Sequence, residues 1–349
     1  MSSKLQRRQW LKASIAAHPL FFPKSSNGAP ATPTHQSNGG KECNLAALPP
    51  FGFSAVYQSS GPDEVKPHML PPGIVETLSK DYWPRYDSVT GTWNGDSAAT
   101  MLSLTKLEII VISETQRILD SKVRTDSIAS PTHKDLYLAE DNPPFPKFSD
   151  DSIEQRWDRN SFLAYCDQDD YGIGNSMYES FYRNGLRLFP QLTTTLKSIM
   201  QRPRAQQAAY ILGFPAFNCL PSLSAGTPSF VGGHALKAAI AGSAVYILFR
   251  DIAPAHLMEK WSEYVVGIAD RRVFAGQHYP TDNFASWHCA LATFDMIFKG
   301  NSNAAQWFLK NSIIKYSKVY SVVTETFSRK STAYSRSITA LNSVMHEGG

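Results

Sequence analysis

From about Asn175 onward the sequence is a train of helical patterns cut by glycine and proline, with little of the strict alternation that a half-buried strand requires. Apolar residues recur three and four apart over about 176–187, 190–201, 205–212, 234–250, 255–274, 280–299 and 303–325. Segments patterned this way bury their apolar faces against one another, so the predicted fold class is mainly α, a single helical bundle. Upstream, Leu102 to Leu119 carries Leu104, Leu107, Ile110 or Val111, Glu114 and Ile118 at the same spacing, which predicts one more half-buried helix.

The remainder of the chain reads as irregular. Residues 23–75 are rich in Pro, Ser, Gly and Asn and read as a linker. A folded body is expected over 76–330, with a loop at 126–160 around Pro131, Pro143, Pro144 and Pro146 and a tail at 331–349. In 1–22, Arg7-Arg8-Gln9-Trp10 followed by a short apolar run resembles a twin-arginine export signal, with Trp10 where such signals usually carry Phe. Export would place the protein in a periplasmic or extracellular space, and without it the protein would be cytoplasmic.

Composition removes several function classes. Lys plus Arg exceed Asp plus Glu by 34 to 30 and form no long basic run, so nucleic acid is not an expected partner. The most apolar stretch, Ala238 to Phe249, is shorter than the ~20 residues a membrane span needs. Cys43, Cys166, Cys219 and Cys289 contain no CxxC pair and suggest no zinc site. They permit disulfides without assigning any, and oligomeric state is open.

Three segments between Lys197 and Asp282 carry chemistry. In the first, Lys197 and Arg204 stand seven apart in Lys197-Ser198-Ile199-Met200-Gln201-Arg202-Pro203-Arg204 and would share a face if one helix ran through Pro203. In the second, Thr227-Pro228-Ser229-Phe230-Val231-Gly232-Gly233-His234 is a turn opening into an apolar helix, whose first N–H groups suit an anion. In the third, Arg272 precedes His278-Tyr279-Pro280-Thr281-Asp282. Pro280 suits a first helical turn there, and Asp282 can reach back to Nδ1–H of His278, leaving Nε2 basic and nucleophilic.

In order and separation these segments resemble the tripartite signature of the type 2 phosphatidic acid phosphatase and vanadium haloperoxidase superfamily: Lys-x6-Arg-Pro, then Pro-Ser-Gly-His, then Ser-Arg-x5-His-x3-Asp. The match falls on Lys197, Arg204, Gly233, His234, Arg272, His278 and Asp282 and covers about a quarter of the chain. Ala205 stands in place of the family's Pro, Val231-Gly232 in place of Pro-Ser, and Arg271 in place of Ser. Where the family serine would bond the oxyanion, Gly232 has no hydroxyl.

The resemblance implies the helical bundle of that superfamily, preceded by an irregular extension. It implies that Lys197, Arg204, Arg272 and the Gly232-Gly233 backbone hold phosphate or vanadate, and that His278, His234 and Asp282 are catalytic. Arg202-Pro203-Arg204 also resembles exported bacterial acid phosphatases, for which the substrate is a small phosphate ester, the intermediate a phosphohistidine, and neither metal nor cofactor is needed. The alternative is a haloperoxidase that holds vanadate through His278 and takes halide and hydrogen peroxide. Thr227, at a rim position where haloperoxidases carry an aromatic residue or His, favours hydrolysis; the long region before the motifs favours the haloperoxidase. A third reading is a phosphate-binding protein without catalysis. Tyr279, Trp287, Phe230 and Phe274 are candidates for lining an entry.

Overall fold

The computed structural model describes residues 70–87, 89–90, 92–94, 98–125, 192–214, 226–251, 253–328 and 332–346. All of them belong to the unit Cys43–Gly349. The expected export signal at 1–22, residues 23–69 of the linker, the loop at 126–160, the helix at 176–187, and Cys43, Cys166 and Cys219 lie outside the described residues. Within them the protein is mainly helical.

In chain order the elements are α1 (Ile74–Asp81), β1 (Arg85–Asp87), β2 (Thr92–Asn94), α2 (Ala98–Thr125), α3 (192–200), α4 (Ala205–Ile211), α5 (Gly233–Phe249), α6 (Ala255–Phe274), α7 (Pro280–Ile297), α8 (Ser302–Tyr316), α9 (Lys318–Val322) and α10 (Thr332–His346). The two strands form a small antiparallel hairpin with Tyr86 opposite Trp93. Asp87 Oδ1 accepts from the N–H groups of Val89 and Thr90 at 2.8 and 3.2 Å and shapes its turn.

Helix α5 is the axis of the bundle and packs against α6, α7 and α8. It has no polar face because it has no solvent face, and its small residues Ala235, Ala238, Ala239, Ala241 and Ala244 are all buried. The approach to α6 is close at Gly242, where a Cβ would lie 2.4 Å from Val265 Cγ2. Trp261 Nε1 donates to the Gly242 carbonyl at 3.0 Å across the same contact. No helix among the described residues is long and apolar enough to cross a membrane.

Three expectations need correction. The window 303–325 is not one helix. Asp270 of α6 accepts from Ser317 Oγ at 2.9 Å and from the Lys318 and Val319 N–H groups at 2.7 and 3.3 Å, which breaks the helix at Ser317 and starts α9. A π-helical turn, Val323–Phe327, follows. Second, the expected tail at 331–349 contains α10, which packs against α7, α1 and α2 and buries Tyr334, Ile338, Leu341 and Met345.

Third, α2 is half-buried as expected, with Leu104 and the Val111 alternative inward, but Leu107 and Glu114 are only partly buried and the centre of the stripe lies at Glu108. Met101, Leu104, Thr105, Glu108, Ile109, Val111, Ile112, Thr115 and Gln116 point inward, while Ile110 is 48% exposed. The interior position taken by Glu108 has its cause in the site it serves.

Candidate functional site

The first two segments meet in a way the sequence does not suggest. Helix α3 stops at Met200, Gln201 takes a left-handed φ of 45°, and residues 201–204 leave the helix. Pro203 lacks an N–H and disfavours helical backbone at Arg202, so Lys197 and Arg204 do not share a helix face. They converge instead on the loop before α5. Lys197 Nζ donates to the Pro228 carbonyl and, at 3.5 Å, to that of Ser229. Arg204 donates from Nε to the Thr227 carbonyl at 2.7 Å and from Nη2 to Thr227 Oγ1 at 3.0 Å. Ser229 closes the junction, its N–H on the Arg202 carbonyl at 3.0 Å and its hydroxyl on that of Pro203 at 3.2 Å.

The third segment is placed by the end of α6. Gly276, with φ 71°, donates to the Val273 carbonyl at 2.9 Å, and Gln277 N–H donates to that of Arg272 at 3.0 Å. This paired pattern is a Schellman motif, which ends the helix and reverses the chain. His278 N–H also bonds the Arg272 carbonyl, at 3.2 Å. Pro280 then opens α7, as expected. One turn in, Asp282 Oδ2 accepts from His278 Nδ1 and from the Tyr279 N–H, both at 3.1 Å. Arg204 Nη1 completes the arrangement at 3.0 Å from His278 Nε2 and from the Gln277 carbonyl.

An arginine can only donate, so Nε2 faces it with a lone pair, and the proton of the neutral ring sits on Nδ1 toward Asp282. Burial and then the Arg204 charge hold the His278 imidazolium pKa well below its ordinary value, against the opposing pull of Asp282. Burial alone would raise Asp282, yet the Arg202 guanidinium and the bond to His278 hold it at about 2. The site therefore contains a carboxylate and a neutral, oriented imidazole at mildly acid and neutral pH. Nε2 is engaged by Arg204, where the spacing alone left it open.

Gly232 N–H lies 3.5 Å from the Asp282 carbonyl, and Ser286 Oγ sits 2.7 Å from that carbonyl and 3.0 Å from the Gly232 carbonyl. The opening of α5, with Gly233 and the buried His234 in its first turn, is thereby fixed beside Asp282. Gly232 caps α5 with extended backbone and no side-chain bond. Arg272 is buried in the last turn of α6 and joins the cluster through its carbonyl. All the charged and imidazole groups expected from the sequence are buried. Phe230, Phe274 and Trp287 are buried in the core, with Trp287 stacked on Phe284. Tyr279 is buried with its ring 3.8 Å from the Arg202 guanidinium.

Two charged groups at the site escaped the sequence reading. Arg202 donates from Nη1 to Asp282 Oδ1 and to Thr281 Oγ1, both at 2.8 Å, and from Nη2 to Glu108 Oε2. Glu108 Oε1 in turn accepts from the Thr281 N–H and hydroxyl, at 2.8 and 2.6 Å. Trp83 covers the guanidinium at 4.2 Å to the ring centre. Glu108 had a sequence signal, since an acid placed in register with Met101, Leu104, Val111 and Thr115 lies at the centre of a helical stripe. Arg202 had none beyond its place in the triplet.

No group of three or more residues able to hold a metal ion occurs among the described residues. No family model matches the chain, and neither a curated protein nor a solved structure matches it.

Proposed function

We propose that this chain is an acid-phosphatase-like hydrolase of the phosphatase and haloperoxidase superfamily, cleaving small phosphate esters through a phosphohistidine at His278. The observation that carries the reading is the neutral His278 ring, with Nδ1 bonded to Asp282 and the Nε2 lone pair turned toward Arg204. A nucleophile aimed at a cation is suited to a substrate whose electrophilic phosphorus is wrapped in anionic oxygens.

In the proposed reaction Lys197 and Arg204 exchange loop carbonyls for the non-bridging oxygens, joined by Arg272 and the N–H groups at Gly232 and Gly233. Nε2 of His278 bonds to phosphorus as the ester P–O bond breaks, and His234 gives its proton to the departing alkoxide. Asp282 stabilises the ring as it becomes positive. His234 then takes a proton from water, whose oxygen bonds to phosphorus as the P–N bond breaks, releasing phosphate and restoring both histidines.

A second reading is favoured by α2 and Trp83, which come from the long region before the motifs and reach the back of the site. The same lone pair and ring of cations fit vanadate held on His278, which when bound would supply peroxide activation for halide oxidation. Thr227 is bonded twice to Arg204, and the resemblance, which aligns it with the rim position, favours hydrolysis. The test is turnover of a chromogenic phosphate ester, and of bromide with hydrogen peroxide, each before and after adding orthovanadate. Ester hydrolysis inhibited by vanadate supports the proposal, and halogenation appearing only with vanadate supports the second reading. Activity retained in His278→Ala overturns both.

A further inference from the structure

The Arg202-Pro203-Arg204 triplet reaches both ends of one hydrogen-bonded pair. Arg204 faces His278 Nε2 at 3.0 Å, and Arg202 faces Asp282 Oδ1 at 2.8 Å, on opposite sides of the His278–Asp282 bond. Asp282 is thus used on both oxygens, Oδ1 by Arg202 and Oδ2 by His278 and the Tyr279 N–H. A carboxylate bound on both edges cannot rotate without breaking one set of bonds.

Arg202 is itself immobilised. Its planar head is covered by Trp83 at 4.2 Å and by Tyr279 at 3.8 Å, while Glu108 holds Nη2 and Thr281 relays from Nη1 to Glu108. Every charged group in this chain of contacts has a fully buried side chain. Burying two carboxylates and a guanidinium is costly, and apolar side chains of similar volume commonly serve packing as well or better. A role in packing alone leaves the choice of ions unexplained.

We propose that Arg202, locked by Glu108, is a positioning residue for His278: it fixes the Asp282 carboxylate so that the imidazole keeps its proton on Nδ1 and its lone pair on Nε2. The two arginines act together. Arg204 excludes a proton from Nε2, and Arg202 keeps the acceptor that retains the proton on Nδ1. Glu108 extends this support to α2, so a helix far from the motifs in sequence governs the nucleophile. The inference rests on the phosphatase reading for its meaning, but its structural content is the protonation pattern of one ring.

Nitrogen NMR of the full chain labelled with 15N-histidine reads that pattern without substrate, the His278 signals being assigned by their loss in His278→Gln. The expected result is protonated Nδ1 and unprotonated Nε2 in the unaltered protein, and a mixture of both tautomers in Arg202→Lys and Glu108→Gln. In the same variants kcat for a phosphate ester falls about 10- to 100-fold, with KM within about twofold, as for loss of a group that orients a catalytic ligand. Glu108→Gln changes almost no volume and leaves Arg202 its bond to Asp282, so it carries the test if Arg202→Lys does not fold.

A proton on Nε2 in the unaltered protein overturns the inference whether or not any variant folds. Folded variants with an unchanged His278 pattern overturn it too. If the pattern responds as expected and no ester is hydrolysed, the positioning role stands and the phosphatase reading falls. If esters are hydrolysed and the pattern does not respond, the reverse holds.

Discussion

Gly232→Ser introduces a hydroxyl at the position where the resembled superfamily pattern carries one, and the structure sets the size of its effect. Gly232 has φ −66° and ψ 101°, ordinary extended backbone, so no conformational strain opposes a side chain. A Cβ there would meet Ala235 Cβ, Asn283 Oδ1 and Ser286 Oγ, each at 3.4 Å, which is ordinary contact. Reducing the freedom of the unfolded chain contributes about 0.4–1 kcal/mol. Replacing a glycine cap by serine adds a few tenths. Asn283 Oδ1 is buried without a hydrogen-bond partner, and a serine hydroxyl at this distance can donate to it, adding up to ~1 kcal/mol. Together these give about 1–2 kcal/mol, or a rise in Tm of roughly 2–5 °C. The hydroxyl has one hydrogen, and giving it to a bound oxyanion means taking it from Asn283, so inhibition by phosphate should tighten only a few fold. Urea denaturation and inhibition constants check the two parts. A loss of more than about 1 kcal/mol would refute the fit inferred from the geometry, and weaker phosphate inhibition would show that the hydroxyl does not face the anion.

Asp282→Asn presents an NH2 group to either the Tyr279 N–H and His278 Nδ1 or to Arg202; the first choice flips the His278 tautomer and the second opposes Arg202. The expected cost is about 2–4 kcal/mol in urea unfolding from buried donors left opposed, with kcat lower by about 10³- to 10⁴-fold in the ester assay. A kcat within threefold of the unaltered protein, roughly the scatter of such assays, contradicts the assigned role. For pH dependence, the His278 pKa is lowered by burial and then by Arg204. Its stabilising contribution is present above the ordinary histidine pKa of about 6.5 and is lost as pH falls toward the folded value. Proton NMR titration of the ring should therefore show it still neutral at mildly acid pH, and Arg204→Gln should move the midpoint upward. Asp270 behaves in the opposite sense. Burial raises its carboxyl to about 6, so its contribution is full below an ordinary carboxylate pKa and fades as pH rises through 6. The swing is roughly 3 kcal/mol. Asp270→Asn should remove that slope from the difference in urea stability measured between pH 4 and 7, and parallel slopes in the two proteins contradict it.

What the sequence made legible was local. The helices between 205 and 297 follow from apolar spacing, the start of α7 from Pro280, and the His278-to-Asp282 bond from a four-residue offset within one turn of chain. Those rules use only neighbours. The breaks were not legible where their cause was distant: Asp270 interrupts the helix at Ser317 from 47 positions away, and no pattern inside 303–325 announces it. Lys197 and Arg204 were paired correctly for the wrong reason, since the spacing that suggested a shared helix face is undone by Pro203, and loop carbonyls bring them together instead.

Glu108 shows why the partners of a buried ion could not be read even where its register could. Its register with Met101, Leu104, Val111 and Thr115 marks an inward position, whereas the stripe read from the sequence ran through Leu107 and Glu114 and left Ile110 and Val111 as alternatives. The true orientation depends on a guanidinium 94 positions away and a threonine 173 away, neither of which leaves a trace in residues 98–125. A buried ion of this kind is stable only when its partners are already in place. The groups that hold a reactive side chain still are therefore the ones that one-dimensional patterns conceal, because their stability comes from tertiary contacts. This explains why Lys197, His234, His278 and Asp282 could be named as candidates from the sequence, while the bonds that join Arg202 and Glu108 to the His278–Asp282 pair emerged only from the fold.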